Sequence, residues 1–335
     1  MKKQLLIAAV AATMGTAAMA DVSITGDAKF EYFNTETSTV TTNKTNTEVN
    51  LKLRGKSGDT TVVMDIAANG GATASTAAGV TAISGTVVED MYLTTKVGDV
   101  TVKGGNYSTG TSAILGEIEN GGRANNKVTL SGSTGGVSWY AGNSATVGTG
   151  ATQINGNMFV GASMDVAGWK VQAKHNSATV DSFGISGEVS GVGIRLEQKN
   201  DTAANGDTTF GNVTYSTNGI DLAYAWLDSD KANQIDEDDS AIFAVENGIV
   251  TATTDTGNAQ ITAKTSVAGN TVTVKSGSVE NGIATGTDLD YTQIAVSRPL
   301  ASGATFAATY TDKDDSTSTD TQILEIGRAS CRERV

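Results

Sequence analysis

Apolar and polar residues alternate with a period of two through most of this chain. From Val22 to Phe33, Val22, Ile24, Ala28, Phe30 and Tyr32 fall on one face, and Ser23, Thr25, Asp27, Lys29 and Glu31 on the other. Such alternation predicts a strand with one dry and one wet side. The pattern returns at 47–55 (Val49, Leu51, Leu53 against Asn50, Lys52, Arg54) and at 60–68 (Val62, Met64, Ile66 against Asp65), two runs joined by a four-residue turn. They read as a hairpin. Further pairs follow at 89–97 with 100–105, 126–132 with 137–142, and 157–166 with 169–175. Then come 181–189 with 192–199, 208–217 with 220–227, 290–297 with 303–311, and a last run from Thr321. The expected total is about sixteen strands.

Connections within each pair are tight, often X-Gly as in Ala167-Gly168, Ser190-Gly191 and Asn218-Gly219. Those between pairs are longer, polar and rich in Gly, Asn and Thr. Alternating short and long connections suit an up-and-down barrel whose two rims face different compartments. The chain has a single Pro in 335 residues, which agrees with a closed ladder in which every amide is used. The connection of about sixty residues at 228–289 is long for a loop and contains β-like stretches at 260–266 and 271–275.

Two terminal segments stand apart. Residues 1–20 carry Lys2 and Lys3, an apolar run from Leu5 to Ala12 and the small-residue site Ala18-Met19-Ala20, the arrangement of a secretory signal peptide. The last ten, 326–335 (IGRASCRERV), look like the translation of a sequencing adapter and are expected to be non-native; they hold the only Cys, Cys331. The expected mature unit is therefore a single barrel domain over 21–325, lacking its true final strand.

Composition narrows the chemistry. With one His, one Cys and a formal charge of −13, Cys/His zinc clusters, disulfide frameworks and His-pair catalysis are excluded, and no basic patch invites nucleic acid. Setting both end segments aside leaves 18 basic and 35 acidic side chains, a charge of −17. That balance gives a weak bias toward cations. The longest apolar run of the mature part is Leu222 to Leu227, far too short for a membrane-spanning helix.

Whether lipid or protein meets the dry face decides between a membrane barrel and a soluble sandwich. Lys29, Lys52, Arg54, Asp65, Lys103, Lys170, Lys174, Arg195, Glu197 and Asp221 all fall on the wet side. In a barrel those charges line a water-filled lumen without a burial penalty, while the apolar side meets lipid. Sixteen strands leave room for an aqueous channel.

In the opening strand DVSITGDAKFEYF, the hairpin VGDVTVKGGN at 97–106, the segment RANNKVTLSG at 123–132 and YTQIAVSRPLASGATFAATY at 291–310, the chain resembles the general porins. These are the sixteen-stranded trimeric channels of Gram-negative outer membranes. The resemblance implies an all-β, transmembrane antiparallel up-and-down β-barrel whose lumen is partly occluded by an inward-folded third loop. It also implies outer-membrane lipid and a homotrimer as partners, small hydrophilic solutes and ions as cargo, and no cofactor or metal.

By position the third loop is 107–125. Its expected constriction residues are Glu117, Glu119 and Arg123, facing the wall cations Lys29, Lys52, Arg54 and Lys103. Opposed charges across a narrow aqueous passage orient dipolar solutes and set ion preference. Tyr32, Trp139, Trp169, Tyr224 and Trp226 are candidates for interfacial girdles. His175 stands alone, and the acidic run at 228–239 lacks the spacing of a calcium loop, so both read as solvated surface. The expected function is passive diffusion through a water-filled outer-membrane channel with no catalytic step. The rival is a secreted surface β-protein or adhesin, although no fixed repeat length supports it.

Overall fold

The structure is a computed structural model that describes residues 21–37, 41–74, 84–107, 124–146, 154–177, 180–201, 206–230, 243, 257–280, 288–301, 304–315, 321–326 and 333–334. The expected signal segment 1–20 and, from the expected third loop, 108–123 lie outside these residues.

Alternating sequences with β-branched and small residues form strands, and each of the first eighteen pairs with its sequence neighbours. They are β1 (Asp21–Thr37), β2 (Thr41–Ser57), β3 (Thr60–Ala74), β4 (Ser84–Val97), β5 (Val100–Tyr107) and β6 (Ala124–Thr134). Next come β7 (Val137–Thr146), β8 (Ile154–Val166), β9 (Trp169–Asn176), β10 (Val180–Val189), β11 (Val192–Asp201) and β12 (Gly206–Thr217). The remainder are β13 (Ile220–Ser229), β14 (Gly257–Val267), β15 (Asn270–Glu280), β16 (Leu289–Pro299), β17 (Thr305–Asp315), β18 (Thr321–Ile326) and the two-residue β19 (Glu333–Arg334). All pairings are antiparallel, and β18 closes on β1 through Tyr32↔Ile326 to Thr37↔Thr321. β19 meets β1 at Thr25 and Gly26.

The barrel has eighteen strands, not about sixteen. The two additional strands, β14 and β15, occupy the segment expected to be a long loop, and they pair from Val267↔Asn270 to Gly257↔Glu280. Their turn, Ala268-Gly269, has φ of 50° and 79°. Ala167-Gly168 (51° and 83°) makes the same connection between β8 and β9. Two positive φ values match the right-handed twist of the flanking strands, which is why Gly holds the second position.

Followed once round the sheet, the register advances by about 22 residues. With strands ~4.8 Å apart and ~3.3 Å per residue, that stagger tilts the strands by about 40° and gives a backbone diameter of about 35 Å. A tube of that width holds water unless loops fill it.

Alternation stays in phase around the whole circuit, so each strand has a defined outer and inner row. Outward side chains include Val22, Ile24, Phe30, Leu51, Val128, Leu130, Val160, Leu222, Ile261, Ile294 and Leu324, all exposed. They form a continuous apolar belt. Every lysine of β1 to β18 falls on the inward row, whereas outward carboxylates such as Glu36, Asp228, Glu280, Asp290 and Asp314 sit toward the long-connection ends of their strands.

Aromatic rings cover cross-strand glycines on both faces. Each of the three tryptophans lies over the glycine directly opposite it: Trp139 over Gly132, Trp169 over Gly187 and Trp226 over Gly211. Tyr140 does the same over Gly161 on the inner face. A side chain at these glycines would occupy the space of the ring; the flat ring instead shields the bare backbone ladder.

Candidate functional site

The barrel interior is the site, and its wall divides into three sectors. Along β1 to β4, cations are matched by carboxylates. Lys29 pairs with Glu31, which also accepts from Asn46 Nδ2 at 3.1 Å. Lys52 Nζ lies 3.0 Å from Asp65, and Asn50 donates to Asp27 at 3.3 Å and to Glu48 at 2.7 Å. Arg54 shares this wall near the short-turn end, opposite Ser23 and Val63.

From β5 to β11 the wall is basic and aromatic. Lys103 Nζ sits 3.8 Å from the ring centre of Tyr92 and 3.9 Å from that of Tyr107, whose rings meet edge-on with centres 5.7 Å apart. Two ring faces on one ammonium hold it at a defined point, since each attracts positive charge through its quadrupole. Gly105 makes this possible: it lies opposite Tyr92 at φ 141°, and an added Cβ would fall 2.3 Å from the Met91 carbonyl oxygen. Lys127, fully buried, donates to the Tyr107 carbonyl at 3.1 Å and lies 4.6 Å from that ring's centre. Lys174, Ser182 and Lys199 follow on a single cross-strand row. Arg195 pairs with buried Glu197 and stands 5.4 Å over the Phe210 ring.

The third sector, β12 to β17, carries an apolar cluster and amides among scattered charges, Asp221, Lys264, Lys275 and Lys313. Phe210, Ala225, Leu227, Val279 and Tyr291 form a buried apolar cluster, joined by Phe243 from the β13–β14 connection. Beside it Tyr291 donates to Gln260 at 2.7 Å, Gln293 to Thr311 at 3.3 Å, and the Thr208 and Ser229 hydroxyls lie 2.7 Å apart. Asn50, Asp65, Asn212 and Asn258 hold buried side-chain atoms without a protein partner. All four sit on the inner row.

The four expected wall cations do not form one strip. Lys29 and Lys52 are neutralised by adjacent acids, Arg54 lies near the rim, and Lys103 belongs to the second sector. Glu117, Glu119 and Arg123 lie outside the described residues, and with them the expected inward-folded third loop. Of the expected girdle residues, Trp139 and Trp169 stand within three residues of short turns, while Tyr32, Tyr224 and Trp226 lie higher on the outer face. Tyr224 and Trp226 are stacked at 5.7 Å. His175 also faces outward, 2.6 Å from Asp181. Sequence reading missed Tyr92, Tyr107, Lys127, Lys199 and Phe243 as site residues. The first four are visible as inward positions only once neighbouring strands are set in register, and Phe243 carries no local signal.

No known protein family description matches the sequence, and no curated protein does. Solved structures do. OccK2 (OpdF) of Pseudomonas aeruginosa superposes with a TM-score of 0.67 at 10% identity, covering 94% of this chain and 98% of that one. OpdK of the same organism, solved with vanillate, gives 0.65 at 11% over 94% and 99%. OccK11 (OpdR) gives 0.64 at 14% over 94% and 96%. OpdK is described as an outer-membrane protein. At such identities the likeness establishes the fold alone, a closed antiparallel β-barrel.

Proposed function

We propose that this chain is an outer-membrane channel through which small hydrophilic solutes and ions diffuse passively, with no catalytic step. The observation that carries this reading is the inversion of polarity: an apolar belt outside and ion pairs, lysines and amides inside. A soluble barrel would place those rows the other way round. A pore-free adhesin has no use for charges on an enclosed wall.

The basic sector gives the channel its preference. Net charge favours cations, but much of the negative charge stands on the outer face at the long-connection rim, where a Debye length of roughly 8 Å isolates it from the lumen. Inside, Lys103, Lys127, Lys174 and Lys199 make this wall basic, with the rings of Tyr92 and Tyr107 beside the first two. That combination attracts small anions and suits planar carboxylates in particular, the chemistry of the vanillate found with OpdK. Glu117, Glu119 and Arg123 remain our candidates for the loop side of the narrowing, on the strength of the porin resemblance. The same holds for the interfacial role of Tyr32, Trp139, Trp169, Tyr224 and Trp226, which their outward placement supports. The homotrimer also rests on that resemblance; sedimentation in detergent distinguishes it from a monomer.

The test is reconstitution of the folded protein into a planar bilayer. Stepwise ohmic conductance with a reversal potential displaced toward the anion equilibrium is expected. Absence of conductance overturns the channel, and a cation-selective reversal potential overturns the role of the basic sector.

A further inference from the structure

His175 and Asp181 stand where the outer face is otherwise rich in apolar side chains. His175 lies six residues above the short-turn end of β9 and Asp181 eight above that of β10, about 15 and 20 Å along the barrel axis. Leu51 of β2, Val128 of β6 and Ile261 of β14 hold the same level as His175 on their own strands, and all three are outward and apolar. His175 Nδ1 is 2.6 Å from Asp181 Oδ1, yet the two side chains remain 60% and 61% exposed. Ionisable groups at bilayer depth are costly unless a partner meets them, so the pair marks a binding surface.

The surroundings define the shape of that partner. Register sets two outward rows across β8 to β11: Val160, His175, Asp181 and Asn200 above, with Ala162, Ala173, Phe183 and Gln198 below. Because 162 and 173 carry only methyl groups, the wall between Val160 and Phe183 sinks into a depression of about 450 Å³, most of whose lining belongs to these two rows. That volume falls in the range of small-molecule sites. The next row down, Met164, Val171, Ile185 and Leu196, is wholly apolar. Polar groups therefore edge the end nearer the long connections, and the floor runs toward the middle of the belt. A lipid is polar and apolar in the same order.

Charge selects among lipids. The rim holds one basic and one acidic side chain in contact, beside the amides of Gln198 and Asn200, which are joined by a 3.2 Å bond. A headgroup of one sign meets one of these charges favourably and the other unfavourably, whereas a headgroup carrying both phosphate and ammonium matches His175 and Asp181 together. We infer that the β8–β11 face is a lipid site: its floor at Ala162 and Ala173 takes an acyl chain, and its rim at His175, Asp181 and Asn200 holds a zwitterionic phospholipid headgroup. The inference rests on the assignment of lipid to the outer face and goes beyond it in naming one lipid class and one place.

The experiment is native mass spectrometry of the folded, detergent-purified protein after incubation with phosphatidylethanolamine or phosphatidylglycerol. One phosphatidylethanolamine retained per chain, about fivefold more than phosphatidylglycerol, is expected from the net worth of one added hydrogen bond. Ala173→Phe fills the floor and should remove the retained lipid, while Ala263→Phe, on the outward row of β14, should behave as wild type. The double variant His175→Leu, Asp181→Leu tests the rim independently of the floor and should erase the preference. Equal retention of the two lipids by the wild type, or undiminished retention in Ala173→Phe, overturns the inference. So does a lipid-free dimer that the double variant dissociates, since a second copy then covers the face. Bilayer conductance of the same preparation keeps the two readings apart: a conducting protein without the lipid preference loses only this site, whereas a silent one loses the channel.

Discussion

Leu51→Arg tests the placement of the bilayer most directly. Leu51 is outward and 43% exposed, with Gly26 and Ile66 as cross-strand partners and Val49 and Leu53 above and below it on the same face. It stands six residues from the short-turn end of β2. At ~3.3 Å per residue and ~40° tilt, that is about 15 Å along the barrel axis, near the middle of an apolar belt about 25 Å tall. If hydrocarbon touches this face, an arginine there should cost about 2–4 kcal/mol. If water does, an exposed substitution should fall within about 0.5 kcal/mol. The control is Thr61→Arg, on the inward row of β3. Its new charge faces the lumen and should change stability little. Reversible guanidinium unfolding in lipid vesicles, followed by the emission of Trp139, Trp169 and Trp226, measures both. Equal stability of Leu51→Arg and Thr61→Arg would refute the assignment of lipid to the apolar side, and the pore would fall with it.

Other consequences are as specific. The triple variant Lys103→Met, Lys127→Met, Lys174→Met should move the reversal potential toward the cation side, while Lys29→Met, whose charge Glu31 already balances, should move it little; bilayer recordings in a salt gradient decide. Gly161→Ala should destabilise the barrel by about 1–3 kcal/mol, because the added Cβ lies 2.2 Å from the Tyr140 ring; the same unfolding assay applies, and pairing it with Tyr140→Ala should recover much of the loss. Shortening the β14–β15 hairpin by removing 257–280 should leave a barrel that no longer closes in register, seen as loss of the heat-resistant folded band on unboiled gels.

Residue alternation in the chain was enough to establish the class of fold, the two faces of each strand and seven of the tight hairpins. Those properties are local: period two assigns a face, and a short X-Gly connection assigns a turn, without knowledge of any other strand. The eighteenth-strand count shows where reading stopped short. Val267-Ala268-Gly269-Asn270 carries the same turn chemistry as Val166-Ala167-Gly168-Trp169, yet its flanks mix Thr, Ser and Ala with few large apolar residues. Outward Ala259, Ser276 and Ser278 do not announce a lipid-facing strand, and only pairing with β13 and β16 makes them one.

The lumen was another matter. Wet-face charges could be named strand by strand, but which of them stand together depends on the stagger accumulated around the whole ring. That register brings Lys52 to Asp65 across β2 and β3, and sets Lys103 of β5 against the Tyr92 ring of β4 as well as the Tyr107 ring of its own strand. A period of two says which side of a ribbon is wet. Only closure of the ribbon decides what each wet side chain faces, because register is a property of pairs of strands and circumference is a property of all of them.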